Sequence, residues 1–329
     1  FLSYISPIFV RYFIPFQMDE SIFLFTFSFS CAKVSVNNLK GVFSMNISGS
    51  TRLICLLGSP VAHSISPAMH NTAFQYHDLD YAYLAFDVGE KKLASVVEAL
   101  KEMNVRGFNL TMPDKNLMAT LCDRLSPAAE ISGSVNTILN ENGILTGHTT
   151  DGIGYMKACE DAGFDIIGKK MSLFGAGGAA TAILVQAALD GVREISLFTR
   201  DPKREHTVKI VSALRERTGC KIQLFSYEDE DVLRRELADS QILTNGTNLG
   251  MAPHEEGCIL LDASFLHKDL IVSDIIYNPR KTRLLQMAEE AGCPHFNGLY
   301  MLLYQGAEAF RIWTGKDMPV DLIKEKFFR

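Results

Sequence analysis

The run Leu173-Phe174-Gly175-Ala176-Gly177-Gly178-Ala179-Ala180 constrains this chain more than any other segment. An apolar strand, Met171 to Phe174, leads into it. An apolar helical run from Thr181 through Leu189 follows and stops at Gly191. Strand, Gly-x-Gly-x-x-Ala turn and helix, in that order, form the context of a dinucleotide-binding turn. Gly175 permits the tight bend, and Gly177 lets the backbone approach a pyrophosphate. Ala180 is small enough for the helix to pack on the strand, and the helix N-terminus faces the phosphate charge. Ordered-looking sequence begins well upstream, at Arg52, so the substrate machinery is expected to come first.

Two rounds of alternating strand and helix surround this turn. In the first, strands are predicted at Arg52–Leu57, Tyr81–Phe86 and Val105–Leu110, with helices at Ser66–His77 and Lys91–Met103 between them. Strands Ser134–Leu139 and Ile144–Gly147 flank an Asn-Glu-Asn-Gly turn, and a helix runs from Asp151 to Gly163. The second round adds strands at Glu194–Thr199, Lys221–Phe225, Gln241–Asn245 and Leu270–Asp274. Such alternation argues for an α/β fold with sheets covered on both faces. At 329 residues the chain has room for two domains. Residues 45–150 plus 299–329 are expected to form a substrate domain with a mainly parallel sheet, and 151–298 a Rossmann-type dinucleotide domain. The final helix, Leu299–Thr314, is read as returning to the first domain, because Gln305 would otherwise have no site to serve.

Composition narrows the partners. The formal net charge of −6 gives a field that repels a polyanion, so no nucleic acid is expected. Seven scattered cysteines without a Cys-x-x-Cys or a His-Cys spacing read as buried reduced thiols of a cytoplasmic protein, with no metal. His63 and His70 suit packing or hydrogen bonding. The first 44 residues carry nine of the 21 phenylalanines without helical period. Their apolar run, Ile22 to Ala32, is short of the roughly 20 residues a membrane helix needs. Met45 is read as the start, and 1–44 as an extension with no functional role and little structure.

Three segments carry more polar chemistry than packing needs. Ser64 and Ser66, two residues apart before Pro67, either grip a carboxylate or cap the helix that follows. Lys115, in Asn109-Leu110-Thr111-Met112-Pro113-Asp114-Lys115, follows a strand end, where open α/β sheets place ligands; a solvated surface lysine is the plain alternative. Asp151, in Thr149-Thr150-Asp151-Gly152-Ile153-Gly154, either caps its helix or holds Lys115 as a carboxylate partner. Asn136 offers an uncharged donor and acceptor nearby.

Taken in order, the segments HSxSPxxHN, NxTxPxK, VNT, TDGxG, GAGGAA, NGTxxGM, YNP and QGAExFxxWTG resemble the shikimate/quinate dehydrogenase family over about residues 52–319. The Leu-Phe-Thr-Arg-Asp, Ile-Leu-Thr-Asn-Gly-Thr and Met-Leu-Leu-Tyr-Gln-Gly-Ala-Glu segments look closest to the quinate/shikimate branch that also accepts NAD. The resemblance implies an oxidoreductase of aromatic amino acid biosynthesis, via chorismate, that reduces 3-dehydroshikimate to shikimate and 3-dehydroquinate to quinate. It implies that Ser64 and Ser66 bind the substrate carboxylate. Thr111, Lys115, Asn136, Asp151, Tyr277 and Gln305 would surround the ring hydroxyls, with Lys115 and Asp151 as the catalytic pair. Gly175, Ala176, Gly177, Gly178 and Ala179 would hold the pyrophosphate, and Thr199, Arg200 and Asp201 the adenosine end. Ile275, Tyr277, Asn278 and Gly298 would line the nicotinamide side.

Cofactor choice rests on Thr199-Arg200-Asp201-Pro202-Lys203-Arg204. Asp201 suits a ribose diol and repels a 2′-phosphate, whereas Arg200, Lys203 and Arg204 attract that phosphate. The dual-use branch often has its acid one position later, where this chain has Pro202, and Asn248 stands where a lysine is usual on the adenosine side. The balance leans to NAD, with NADP also open. The competing functions are a dehydrogenase for another small hydroxy or amino acid, and a non-catalytic metabolite sensor that kept the pocket. The sequence leaves a homodimer open.

Overall fold

The computed structural model describes residues 47–328, all within one compact unit. The expectations for residues 1–44 and for a start at Met45 lie outside the described residues. In chain order the first half comprises β1 (Arg52–Gly58), α1 (Ser66–Tyr76), β2 (Tyr81–Asp87), α2 (Glu90–Glu102) and β3 (Gly107–Leu110). It continues through α3 (Lys115–Leu121), β4 (Arg124–Leu125), α4 (Pro127–Ser132), β5 (Thr137–Glu141) and β6 (Ile144–His148). These strands form one sheet in the order β2-β1-β3-β5-β6-β4.

Three of its pairings are parallel and two antiparallel. The antiparallel step has a local cause. Asn142 and Gly143 join β5 to β6 with φ of 54° and 84°, the left-handed pair that a tight Asn-Gly hairpin requires. β5 begins at Thr137, so Ser134–Asn136 precede the strand instead of belonging to it. There the main chain of Asn136 is still bonded on both sides, to Leu110 and His148. Helix α4 and the short β4 were not predicted, although the signals were present. Ser126 caps α4 through Ala129 N–H, Pro127 opens it, and Gly133 closes it in the left-handed region.

The second half runs α5 (Asp151–Asp161), β7 (Lys170–Phe174), α6 (Gly178–Asp190), β8 (Glu194–Thr199), α7 (Glu205–Arg217), β9 (Lys221–Ser226) and α8 (Glu230–Ala238). Then come β10 (Ile242–Asn245), β11 (Ile271–Asp274), α9 (Arg283–Glu290), β12 (His295–Phe296), α10 (Leu299–Thr314) and α11 (Val320–Phe327). This sheet, ordered β12-β11-β10-β7-β8-β9, is parallel throughout. Its inner strands read as unbroken buried runs because helices cover both faces. The chain leaves β7 toward β8 and later returns to β10 on its other side, so the strand order reverses between β7 and β10. Open α/β sheets bind ligands at that reversal.

Helix α10 does return to the first sheet. Phe310 and Trp313 are buried with Ile54, Phe74 and Tyr83, and the Trp313 indole N–H donates to Ile138 O at 2.9 Å. At the outer edge, the Asn71 side chain clamps β2, accepting from Tyr83 N–H at 2.8 Å and donating to Tyr83 C=O at 2.9 Å. Four of the described cysteines are buried, and burial pushes the Cys55 and Cys159 thiols up to about 12. Among the described residues no helix is long and apolar enough to cross a membrane, and no cluster of three or more His, Cys, Asp or Glu could hold a metal ion.

Helix α5 joins the two sheets. Its Tyr155 hydroxyl meets Thr244 Oγ1 at 2.5 Å and Ser273 Oγ at 2.9 Å, on β10 and β11. Two glycines bring its backbone against its neighbours. A Cβ at Gly152 would enter the Ala182 backbone of α6, and one at Gly154 would lie 2.6 Å from Gln305 N and from Met301 O on α10. Overpacking of this kind costs about 1–3 kcal/mol. Gly154→Ala is therefore expected to lower the thermal midpoint by several degrees and to reduce activity by displacing Gln305. An unchanged melting curve would show that α5 and α10 have room to separate.

Candidate active site

Lys115 is the first residue of α3, Asp151 the first of α5, Asn136 stands just before β5, and Gln305 projects from α10. Four distant parts of the chain thus converge. Lys115 Nζ donates to Asp151 Oδ2 at 2.6 Å, and Asn136 Nδ2 donates to Asp151 Oδ1 at 2.8 Å. The same amide reaches Thr150 Oγ1 at 3.0 Å and Gln305 Oε1 at 3.4 Å. Its orientation is fixed, since Asn136 Oδ1 accepts the Thr150 backbone N–H at 2.8 Å. Gln305 is fixed as well, its Nε2 donating to Leu302 O at 2.9 Å. The Lys115 and Asp151 side chains remain 24% and 13% exposed, so the pair is held from behind and open in front.

The capping alternatives do not hold. Thr150 is the N-cap of α5 and makes no side-chain cap bond, while the Asp151 carboxylate is taken by Lys115 and Asn136. Ile65, not a serine, is the N-cap of α1, again without a side-chain bond. Ser64 Oγ accepts the Ser66 N–H at 3.2 Å. Tyr83 donates to Asn109 Oδ1 at 2.7 Å, and Asn109 Nδ2 donates to Asn136 O and Thr137 Oγ1 at 3.0 and 2.9 Å. Tyr83, Asn109, Thr137 and Thr150 were not singled out from the sequence as site residues. Each is an ordinary strand or loop residue until the sheet brings it beside the others. Thr111 follows β3 and packs against Gly58. Tyr277 follows β11 and is 44% exposed. Among the described residues no hydrogen bond joins Ser64, Thr111 or Tyr277 to the Lys115–Asp151 pair.

Around the glycine turn the geometry suits a dinucleotide. Gly175 has φ of 104°, and a Cβ there would crowd Gly246 O and Thr247 Cγ2 at 3.0 and 3.1 Å. A Cβ at Gly177 or Gly178 would meet nothing within 4 Å, so the cradle is open on its ligand side. Ala176 is half-buried, Ala179 half-buried at the start of α6, and α6 has no side-chain cap, leaving its first-turn N–H groups to an anion. Ala180 is fully buried where β10 runs on into Gly246, whose added Cβ would lie 2.7 Å from Ala180 Cβ.

The adenosine end is less one-sided. Thr199 Oγ1, at the end of β8, is buried without a hydrogen-bond partner among the described residues. Arg200, Asp201, Lys203 and Arg204 are all exposed, and Asp201 Oδ1 accepts the Lys203 N–H at 3.0 Å. Beside the turn, Phe174, Tyr227, Thr247 and Leu249 line a cavity of about 380 Å³ that sequence reasoning did not anticipate. On the nicotinamide side, Ile275 N–H donates to Asn245 O at 3.1 Å. The backbone of Gly298 lies so close to Ile275 that no side chain fits there. Asn278 is exposed in the same segment.

Comparison with known proteins matches two family descriptions to parts of this chain. Residues 56–138 match the shikimate dehydrogenase substrate binding domain, and residues 298–326 the shikimate 5′-dehydrogenase C-terminal domain. The chain is 56% identical over 283 residues to the shikimate dehydrogenase (NADP(+)) of Listeria monocytogenes serotype 4b, covering 86% of this chain and 97% of that protein. It superposes with a TM-score of 0.82 on the crystal structure of shikimate 5-dehydrogenase from Listeria monocytogenes in complex with shikimate and NAD. That protein is 55% identical, with 86% of this chain and 98% of the other covered. Quinate dehydrogenase from Corynebacterium glutamicum in complex with NAD gives a TM-score of 0.75 at 26% identity, covering 84% and 99%.

Asp274, at the end of β11, anchors the segment that leads to Tyr277. It accepts from Asn245 Nδ2 at 3.1 Å, Ile276 N–H at 3.0 Å and Thr282 Oγ1 at 2.7 Å. Burial nevertheless outweighs these donors and pushes its carboxyl up to about 6. A carboxyl raised in the folded state binds its proton more tightly there than in the unfolded chain. Its contribution to stability is therefore fullest below about pH 4 and declines as pH rises toward 6. The loss is on the order of 3 kcal/mol. Asp274→Asn is expected to flatten this decline, so that urea midpoints at pH 4.5 and 7.5 differ less in the variant than in the parent. An equal or larger difference in the variant would refute the assignment.

Proposed function

The chain belongs to the shikimate dehydrogenase family, and from that premise we propose that it catalyses the reversible NAD(P)-dependent interconversion of 3-dehydroshikimate and shikimate. The observation that carries the reading is the Lys115–Asp151 pair, held by Asn136 beside Gln305 and open on one side. Residues 45–150 with 299–329 would serve the substrate, and 151–298 the dinucleotide. Quinate is proposed as a second substrate, supported by the likeness to a quinate dehydrogenase.

In this reading Ser64 and Ser66 hold the substrate carboxylate, while Thr111, Asn136, Tyr277 and Gln305 orient the ring hydroxyls. Lys115 gives a proton to the carbonyl oxygen during reduction and takes it back during oxidation. Asp151 fixes the direction of the ammonium at 2.6 Å and offsets its charge when the site is otherwise dry. The nicotinamide, when bound, supplies the two-electron chemistry. The dinucleotide would lie on Gly175–Ala179 with its adenosine end at Thr199–Asp201 and its nicotinamide near Ile275–Asn278 and Gly298. The open cradle at Gly177 and Gly178 and the uncapped start of α6 support this placement.

The lean toward NAD finds no support in the relative named for NADP(+), although a similar protein has been crystallised with NAD. We assign use of either dinucleotide, since Asp201 and the exposed Arg200, Lys203 and Arg204 oppose one another in one short loop. A non-catalytic sensor has no observation in its favour.

Initial rates at 340 nm, with shikimate and quinate each paired with NAD and NADP, test the activity directly. Turnover with shikimate is expected, and folded protein with no turnover in any pairing would refute the reading. Lys115→Ala is expected to abolish turnover while only modestly weakening shikimate binding by calorimetry; near-parental rates would remove the lysine from the mechanism. Asp201→Asn keeps the acceptor for Lys203 N–H and removes the charge. It should shift the kcat/KM ratio toward NADP by about tenfold, or ~1.4 kcal/mol. An unmoved ratio would mean that Asp201 does not meet the adenosine ribose.

A further inference from the structure

We propose that the cavity beside the glycine turn takes the base of the dinucleotide, and that Glu228 at its mouth selects adenine by accepting from the exocyclic amine. The inference rests on the dinucleotide reading given above, and names what the adenosine end meets beyond Thr199–Asp201. Strand register brings the parts together. Phe174 of β7 pairs with Phe198 of β8, Thr199 of β8 with Ser226 of β9, and Asn245 of β10 with Phe174. Four strand ends therefore lie in one row along the edge where the strand order reverses. Tyr227 and Glu228 leave β9 beside the Arg200–Asp201 loop, which leaves β8, while Thr247 and Leu249 follow β10.

The cavity adjoins the phosphate cradle. Thr247 lines it, and the same Thr247 is what a Cβ at Gly175 would strike, at 3.1 Å. Tyr227 lies on the β9 side of that cradle, whereas Ile275–Asn278 follow β11 on the other side. The opening is thus at the adenosine end. Its walls are preformed. Phe174 stacks on Phe198 at 4.8 Å, and the Tyr227 ring lies 6.4 Å from Phe174 with planes 18° apart. The Thr247–Leu249 lip is tied to Asn245, whose Oδ1 accepts Thr247 N–H at 3.0 Å and Thr247 Oγ1 at 2.7 Å. Asn245 Nδ2 donates to Leu249 O at 3.2 Å. On the far wall, the Arg234 guanidinium of α8 sits 4.0 Å over the Phe265 ring and donates to Ser264 Oγ at 2.9 Å. A fixed aromatic slot of about 380 Å³ suits a flat base, whose faces stack on such rings.

The mouth is acidic. Asp229 is engaged in capping α8, its Oδ1 accepting Val232 N–H at 3.1 Å. Glu228 and Glu230 on either side of it line the cavity. Glu228 N–H donates to Ser226 Oγ at 3.3 Å, and among the described residues no hydrogen bond or ion pair engages either glutamate carboxylate. A carboxylate only accepts. It matches the 6-amino group of adenine, which donates, and opposes the 6-oxo group of hypoxanthine, which accepts. Glu228 takes this contact because it directly follows Tyr227 beside the Asp201 loop. Glu230 opens α8, where its charge complements the helix dipole.

The test measures binding, not turnover. Calorimetry compares NAD with its deamino analogue, in which hypoxanthine replaces adenine, in the parent, Glu228→Gln, Glu230→Gln and Tyr227→Ala. The parent is expected to bind NAD about tenfold more tightly than the analogue. Glu228→Gln, which offers an acceptor and a donor, should narrow that ratio to less than about threefold, and Glu230→Gln should keep it. Any general effect of the lost charge cancels in the ratio. Tyr227→Ala should weaken both dinucleotides by about tenfold and leave nicotinamide mononucleotide, which has no adenosine, unchanged. A parent that binds both dinucleotides equally, or a ratio that survives Glu228→Gln, would overturn the inference and leave the dinucleotide reading standing. Equal weakening of the mononucleotide in Tyr227→Ala would also overturn it. A folded parent that binds neither dinucleotide would remove the reading and the inference together. If Tyr227→Ala does not fold, Leu249→Ala trims the exposed lip of the same slot, and the same contrast between dinucleotide and mononucleotide decides the matter.

Discussion

The carboxylate of Asp151 accepts a hydrogen bond on each oxygen, one from an ammonium and one from an amide, and the architecture is arranged to keep it there. Asp151 opens a helix whose body belongs to the core of the second sheet, pinned by Tyr155 to β10 and β11. Both of its donors come from the first half of the chain, Lys115 from the start of α3 and Asn136 from just before β5. The residue is therefore a rivet between two layers that share little else in sequence. Glycines at 152 and 154 bring the helix backbone directly against α6 and α10, which fixes how far the carboxylate can swing. An alanine at either place would move the charge more than it would change the chemistry.

The other end of the site is built on backbone geometry instead of side chains. Gly175 bends, Gly177 and Gly178 leave room, and the start of α6 offers bare N–H groups. Such a cradle recognises phosphate and is indifferent to what the phosphate carries. In the proposed reading, discrimination between dinucleotides falls to four exposed residues after β8, one acidic and three basic.

Most of the fold was legible because helix and strand periods alternate cleanly and the glycine turn has only one natural context. The catalytic candidates were legible for a different reason. Lys115, Asp151, Asn136 and Gln305 are polar groups at strand ends and on an otherwise apolar helix, and packing alone offers them little. The serine pair could not be settled from sequence, since a cap and a carboxylate grip call for the same residues. The observation that Ile65 is the N-cap of α1 removes the cap, and the carboxylate grip stays a proposal. Tyr83, Asn109 and Thr137 were illegible because their partners lie 26 and 28 positions apart along the chain. A strand residue shows no sign of such a partner until the register is known. Cofactor preference was illegible because opposite charges crowd one loop, and the NADP(+) name of a close relative does not bear out the lean toward NAD.

The clamp of Asn71 on Tyr83 has a consequence for how this molecule meets its own copies. β2 is an outer strand, with Leu84 and Phe86 exposed, the sort of border along which sheets of separate molecules zip together. Its central rung is already occupied, because one amide side chain has satisfied both main-chain groups of Tyr83. A second strand laid along this border would have to evict Asn71 before it could pair in register. The chain can thus carry greasy residues on an open flank with the central rung of that flank closed to strand pairing.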